Sequence, residues 1–540
     1  MSAMKMTFRV AMELLFFTLG QLGAQNPTAT LVETVTDPTG SAVMAAKVEV
    51  RNSGTNEVRK LETDQRGEFT VPNLPPGIYD VSISHPGFRT LHETGLELQL
   101  EQQARMEYRL LIGSLADKVE VTASAPLVNT ENGKKGDVMV AAEIAEMPLD
   151  GRDFTSLGLL TPGAVVGLPQ GGFGSFAAIS GARADNTNML VDGNNNRSAY
   201  GGGAVSRPSI DAIQEFKIET SGYSAEFGRL AGGVVNVVIK SGGNQIHGAL
   251  FEFLRNDKLN ARNFFATTIP EYRQNQFGGM VSGPVVIPTL YDGRNRTFFL
   301  FSWESYRQRQ GSSALAAVPT VAVRQGDFSA YAPIKDPLSP GIFFPNNQIP
   351  LARMSASSLK AQAFYPQPNH AGPNNYYAAP PTPSNWDNPM VKIDQILSSR
   401  DSLSFRYLKR YDRSATPSTF ADFGVRRGDH QLLTGLTYTR VFSPTLVNEA
   451  RFGYSRTPTF SIPFDQGTNY NAQLGMSGGP TDPKADRLSG DHHQRLCAAR
   501  TGLPTTEFLY RKWFRPFRHA DLGERTAPDQ VRSRCSAHTV

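Results

Sequence analysis

Thr434-Gly-Leu-Thr-Tyr-Thr-Arg-Val441 places apolar and polar side chains on alternate positions, which is the period of a strand with one greasy and one wet face. The same texture recurs in Ala249-Leu-Phe-Glu-Phe-Leu254, Thr297-Phe-Phe-Leu-Phe-Ser-Trp303, Asp401-Ser-Leu-Ser-Phe-Arg-Tyr407 and Glu449-Ala-Arg-Phe-Gly-Tyr-Ser455. Aromatic-rich strands of about ten residues with dyad alternation suit a transmembrane β-barrel wall, apolar toward lipid and polar toward the lumen. On pattern alone a soluble β-domain is the alternative. Residues 246–477 number 232; at roughly 20 to 25 residues per strand and loop they supply about nine to eleven strands.

Toward the N-terminus the texture changes. Lys47-Val-Glu-Val-Arg51, Glu68-Phe-Thr-Val71 and Tyr79-Asp-Val-Ser-Ile83 are short alternating segments. Asp37-Pro-Thr-Gly40, Asn52-Ser-Gly54, Asp64-Gln-Arg-Gly67 and Leu74-Pro-Pro-Gly77 punctuate them with turn formers. Strands and turns at this spacing predict a small β-sandwich. Together with Val35-Thr-Asp-Pro-Thr-Gly40, Ala46-Lys-Val-Glu-Val50 and Pro86-Gly-Phe88, the region resembles the carboxypeptidase regulatory-like domain, a transthyretin-like sandwich within a carbohydrate-binding-like fold group. The resemblance implies no peptidase. A zinc carboxypeptidase needs two imidazoles and a carboxylate on one metal and a general-base Glu, whereas His85 and His92 stand on separate turns without an HxxE pattern.

Between these regions the chain is rich in Gly, Asn and small residues. Met147-Pro-Leu-Asp-Gly-Arg-Asp-Phe154, Leu159-Leu-Thr-Pro-Gly163, Ile179-Ser-Gly-Ala-Arg183, Met189-Leu-Val-Asp-Gly193 and Pro208-Ser-Ile-Asp-Ala-Ile-Gln-Glu-Phe216 follow in order. Ala225-Glu-Phe-Gly-Arg229 and Gly232-Gly-Val-Val-Asn-Val-Val-Ile-Lys-Ser-Gly242 close the run. This series is similar to the α/β plug domain of TonB-dependent outer-membrane receptors, in the Oar-like group with a regulatory-like sandwich in front. Asn256-Asp, Leu259-Asn260-Ala-Arg-Asn-Phe-Phe265 and Phe344-Pro-Asn-Asn-Gln-Ile-Pro350 look like that group's barrel. The resemblance implies a twenty-two-stranded barrel, so the strands counted above would leave it open, with unpaired edges in hydrocarbon and no working pore.

The resemblance also implies a TonB box at Asp117, Lys118, Val119, Glu120, Val121, Thr122 and Ala123. A β-prone strand with few bulky groups can add to the edge of a partner sheet through backbone hydrogen bonds. Three other motifs carry no chemistry. Gly172-Phe-Gly174 completes neither GxGxxG nor a P-loop. Asp192-Gly-Asn-Asn-Asn196 puts Arg197 and Gly203 where an EF-hand needs Gly and Glu, and reads as a turn. The serine of Ser180-Gly-Ala lacks a nucleophile elbow. No catalytic set and no cofactor is expected.

Composition agrees with an exported β-protein. The mean hydropathy is −0.32, and no apolar run is long enough for a helical span. Both cysteines, Cys497 and Cys535, lie near the end, so no disulfide framework or CxxC metal site precedes them. The formal charge is +5, of which +4 falls in residues 481–540; the main body carries no cationic cluster of the kind nucleic acid requires. Lys5 and Arg9, the run Val10 to Leu22 and Gly23-Ala24-Gln25 form a secretory leader. Beyond Gly479 alternation stops and nine Arg, four His and both Cys appear; this tail is expected to be out of frame, with a genuine basic extension as the alternative.

The chain therefore reads as mainly β: leader 1–24, transthyretin-like sandwich 25–113, box and plug 114–245, first part of a transmembrane barrel 246–477, and an off-family tail 478–540. The resemblance implies a receptor in the outer membrane of a Gram-negative bacterium. Its partners are the inner-membrane TonB complex, outer-membrane lipid and a ligand that is an oligosaccharide, peptide, siderophore or cobalamin. An exported carbohydrate-binding or adhesive module without transport is the alternative from another class.

Overall fold

The computed structural model describes residues 28–114, 118–122, 135–166, 177–198, 203–223, 231–262, 264, 269–311, 313–420, 423–444 and 446–476. The leader, the tail, Asp117 and Ala123 lie outside the described residues. The described chain forms two units, one of residues up to Ala314 with Ala378–Phe464, the other containing Leu315–Tyr377 and the chain from Asp465.

The first unit opens with a sandwich. Strands β1 (Ala29–Thr36), β4 (Glu68–Leu74) and β7 (Gln103–Arg109) form one sheet, ordered β4-β1-β7. Strands β2 (Lys47–Asn52), β3 (Val58–Glu62), β5 (Gly77–Ser84), β6 (Thr90–Leu98) and β8 (Lys118–Thr122) form the other, ordered β3-β2-β5-β6-β8. Alternation sets the core: β5 buries Tyr79, Val81 and Ile83, which meet Leu31, Val35, Phe69 and Val71 of the facing sheet. The turns close as their residue types dictate. The Asp37 carboxylate accepts from the Thr39 and Ser41 amides at 2.8 and 2.9 Å, and Asp64 accepts from those of Arg66 and Glu68 at 2.8 Å. Gly67 has φ +71, and a Cβ there would lie 2.5 Å from the Val35 carbonyl oxygen, so no other residue fits that turn.

A second, mixed sheet follows. β9 (Lys135–Val140) leads into helix α1 (Ala141–Glu146). β10 (Ala164–Val165) and β11 (Ala178–Ile179) make a small hairpin. β12 (Asn188–Val191), β13 (Asn194–Asn195), β14 (Ile213–Ser221) and β15 (Val234–Ile239) complete a sheet ordered β13-β12-β15-β14-β9. Every residue of β15 is buried, as a central strand covered on both faces requires.

The largest sheet is antiparallel throughout. β16 (His247–Asn256), β17 (Tyr272–Pro284), β20 (Thr297–Gly311), β23 (Pro381–Ile396), β24 (Asp401–Pro417), β25 (Gly424–Ser443) and β26 (Leu446–Arg456) lie in chain order, with β27 (Thr459–Pro463) also on β25. Between β17 and β20, β18 (Val286–Ile287) and β19 (Tyr291–Asp292) form a short hairpin. In β20, Leu300, Ser302 and Glu304 are at most 2% exposed while Phe301 and Trp303 are 44% and 39% exposed. Inner Leu300, Met390, Leu408 and Leu433 join the core of the mixed sheet. The opposite face shows Leu250, Phe301, Trp303, Ile393, Phe405, Leu436 and Phe452. The alternation read from Thr434 to Val441 is thus a wall, polar and packed inside, apolar outside.

The count of nine to eleven strands is corrected to eight in this sheet. Individual strands reach 20 residues, and residues 315–377 are spent on the one connection from β20 to β23, which forms the body of the second unit. That connection is bracketed by β21 (Ala314–Ala316) and β22 (Tyr376–Ala378) and contains helices α2 (Val321–Arg324) and α3 (Ala356–Ala361). Arg324 closes it by donating to the carbonyls of Gln362, Tyr365 and Pro366 at 3.0, 3.0 and 2.6 Å. Phe364 packs edge-on against Tyr470 of helix α4 (Tyr470–Leu474), centroids 5.3 Å apart. Among the described residues the eight-stranded sheet is open, with β16 and β26 at its ends, and no helix is long and apolar enough to cross a membrane.

Candidate functional site

The residues picked out for partner contact fall at the edge of the sandwich. Lys118–Thr122 run parallel to β6, in register Thr90↔Lys118, Leu91↔Val119, His92↔Glu120, Glu93↔Val121 and Thr94↔Thr122. The Glu120 side chain is exposed and Val119 is partly covered. Among the described residues strand β8 is the last in its sheet, so one edge of its backbone faces β6 and no described strand lies along the other.

The sandwich is tied to the mixed sheet just beyond β6. The Leu100 amide donates to Glu215 Oε2 at 2.6 Å. Lys217 Nζ bridges Glu101 and Glu219 at 2.8 and 2.9 Å, and Asn236 donates to Glu101 at 3.3 Å. Burial, with the nearby Glu97 charge adding to it, pushes the Glu215 carboxyl up to about 7 against the pull of the Leu100 amide and Lys217. At the rim, Asn244 N donates to Gly54 O at 3.0 Å, Asn56 to Asn295 at 3.0 Å, and Arg59 to Ser399 O at 2.8 Å.

A second set of polar contacts fixes the mixed sheet to the inner face of the wall. The turn between β12 and β13 places Asp192 and Gly193 at positive φ, 44° and 72°. Asp192 Oδ1 accepts from the Ile239 amide at 2.9 Å, and Oδ2 faces Arg406 at 3.2 Å and Lys392 at 3.7 Å. Arg406, 2% exposed, also donates to the Asp192 carbonyl at 2.7 Å and to Thr437 Oγ1 at 2.6 Å. Lys392 Nζ donates to Ile239 O at 2.8 Å. Two wall cations thus close on one carboxylate and on the carbonyls around it. The stretch starting at Asp192 is the turn expected from sequence, and its partner Arg406 lies more than two hundred residues away.

A third set lies at Gly151 to Asp153. Arg152 pairs with Asp211 at 2.6 Å and approaches Glu304 at 3.7 Å, with its guanidinium 4.1 Å from the Phe251 ring centroid. Gln276 donates to Gly151 O at 3.0 Å and to Glu304 at 2.7 Å. Arg207 pairs with Asp153, and Asn388 donates to Arg207 O at 2.6 Å. Between these groups and Trp386 and Arg410 opens a small polar cleft. Sequence reading singled out Met147 to Phe154 as a family motif but not its partners on the wall. Among the described residues no three His, Cys, Asp or Glu side chains converge as a metal site. The arrangement ties the mixed sheet to the sandwich on one side and to the wall on the other.

Residues 30–111 match the family described as carboxypeptidase regulatory-like domain, and residues 238–505 match the outer membrane beta barrel domain, a span running beyond residue 477. The TonB-dependent transporter Oar of Myxococcus xanthus is 32% identical over 234 residues, covering 41% of this chain and 21% of that protein. The chain thus aligns with about a fifth of the length of this curated relative. Among solved structures, the outer membrane transporter YddB of Escherichia coli aligns at 10% identity and a TM-score of 0.41 over 62% of this chain and 40% of that one. The ferric enterobactin receptor PfeA of Pseudomonas aeruginosa aligns at 14% identity and a TM-score of 0.31 over 61% and 45%. Those two likenesses are too loose to bear on function. The two domain matches place a carboxypeptidase regulatory-like domain ahead of an outer membrane beta barrel domain, and with the Oar relative they support a TonB-dependent receptor with an N-terminal regulatory-like domain.

Proposed function

We propose that this chain serves energised uptake across the outer membrane, with the mixed-sheet module as the plug and Asp117–Ala123 as the segment that engages TonB. The observation that carries this reading is the two-faced wall: apolar and aromatic outside, while Glu304, Lys392 and Arg406 inside hold a compact module. A soluble sheet has no use for an outer face of that composition. The plug is held by ion pairs as well as by the apolar contacts of Leu300, Met390, Leu408 and Leu433, and its polar contacts are each exchangeable for water as it shifts.

TonB supplies that force by strand addition at 117–123, and a bound oligosaccharide, peptide, siderophore or cobalamin passes once the plug has moved. Transport requires both open edges, β16 and β26, to be paired, since unpaired backbone groups in hydrocarbon cost several kcal/mol each. A leader over residues 1–24 delivers the chain to the envelope.

The test is binding of a purified TonB periplasmic domain to the detergent-solubilised chain. Val121→Pro removes a backbone donor that strand addition needs and is expected to weaken binding at least tenfold. Unchanged affinity in this variant would place the contact elsewhere.

A further inference from the structure

We propose that the β-sandwich stores the TonB-contacting segment as its own fifth strand, so that TonB must compete with Thr90–Leu98 for Lys118–Thr122. The inference rests on the reading of 117–123 as the TonB contact and adds the element that regulates its availability.

Three observations carry it. First, the pairing is continuous: all five residues of β8 have a partner on β6, without a register shift. An unbroken ladder satisfies the inward-facing donors and acceptors that an incoming strand would otherwise use. Second, the chain is pinned just before β8. The Leu110 amide donates to Thr36 O at 2.8 Å, the Arg89 amide to Leu111 O at 2.8 Å and the Gly113 amide to Gly87 O at 3.1 Å, and Phe88 bridges Ile112. Residues 114–117 are all that separate this anchor from Lys118. Four residues reach about 14 Å at most, which keeps the segment at high effective concentration beside β6. Third, β6 ends at Leu98, and Leu100 and Glu101 immediately make the contacts to Glu215 and Lys217 of the mixed sheet. The element that holds the strand is therefore the one coupled to the module that must move.

The kind of pairing suits release. A parallel edge strand of five residues is the weaker form of sheet contact, and every other strand of this sheet is joined antiparallel. A partner offering an antiparallel ladder can displace β6 once the anchor loosens, whereas a partner that adds to the free side of β8 would leave β6 in place.

A reversible lock separates these cases. In the full chain with Cys497→Ser and Cys535→Ser, His92→Cys and Glu120→Cys put thiols on register-matched positions. Neighbouring strands lie about 4.8 Å apart, within the Cα range a disulfide spans. The oxidised protein is expected to bind the TonB periplasmic domain at least tenfold more weakly than the same protein after reduction. Equal affinity in the two states overturns the inference, and so does failure of the thiols to join under an oxidant. Val121→Pro in the reduced background distinguishes the two levels. Loss of binding there with no effect of the lock removes the storage role alone. Unchanged binding there removes the assignment of the segment itself.

Discussion

Glu33 lies in the sandwich core with no exposed surface, and neither carboxylate oxygen has a hydrogen-bond partner. Burial, reinforced by the Glu93 charge, pushes its carboxyl from 4.5 up to about 9, against smaller opposing effects of the Met106 amide and Arg105. Glu93 is also buried and accepts a hydrogen bond from the Tyr108 hydroxyl. The folded sandwich therefore holds a proton on Glu33 that the unfolded chain releases above its ordinary value. With the folded state binding more protons, stability is fully present below 4.5 and falls as pH rises toward about 9. At pH 7.5, about three units above the ordinary value, about 1.4 kcal/mol per unit gives about 4 kcal/mol, an upper bound because relaxation and water entry relieve buried charge. Glu33→Met keeps the length of the side chain and removes the titrating group. Urea unfolding of a fragment spanning residues 25–113, from pH 4.5 to 9, is expected to show wild-type stability falling by 2 to 4 kcal/mol (about) by pH 7.5 while the variant changes little. A wild-type curve as flat as that of Glu33→Met would refute the reasoning.

Further outcomes follow from the contacts between modules. Asp192→Asn retains an acceptor for the Ile239 amide but removes the carboxylate that Arg406 and Lys392 face at 3.2 and 3.7 Å, leaving Lys392 the longer approach to Asp394 at 4.0 Å; breaking a buried pair in this way costs about 3 kcal/mol, read as earlier urea-induced exposure of Val234–Ile239 in hydrogen exchange. Adding Arg406→Met should recover part of the loss, and strict additivity of the two changes would argue against direct coupling. Glu215, with its carboxyl raised to about 7, holds its proton in the docked state, so docking is firmest at low pH and weakens as pH rises through neutrality. Leu100 amide exchange should therefore accelerate between pH 5 and 8 by more than base catalysis alone, and Glu215→Gln should abolish the excess.

Local chemistry made the sandwich legible. Asp37, Asn52 and Asp64 each satisfy amides within four residues of themselves, so a single sequence carries the whole of the interaction. Alternation likewise revealed the wall, because exposed Phe301 and Trp303 interleave with buried Leu300, Ser302 and Glu304 along the strand itself. Strand number was harder: 20-residue strands and the excursion from Leu315 to Tyr377 leave no mark in periodicity that fixes a loop's length. The grip on Asp192 was invisible for another reason, since a turn residue and Arg406 become neighbours only after the wall has folded around the mixed sheet. The segment from Lys118 was recognisable as β-prone, yet nothing in five residues states which edge they join. Its pairing with β6 is a property of the folded sandwich.

The most direct measurement is site-specific photo-cross-linking in cells, with the photoreactive residue in place of Glu120, whose side chain is exposed on β8, and at Arg66 in an exposed turn of the sandwich as the control. An energised TonB contact at 117–123 predicts a cross-link to TonB from position 120 and none from position 66. Absence of any TonB product from position 120, or equal yields from both positions, would contradict the assignment.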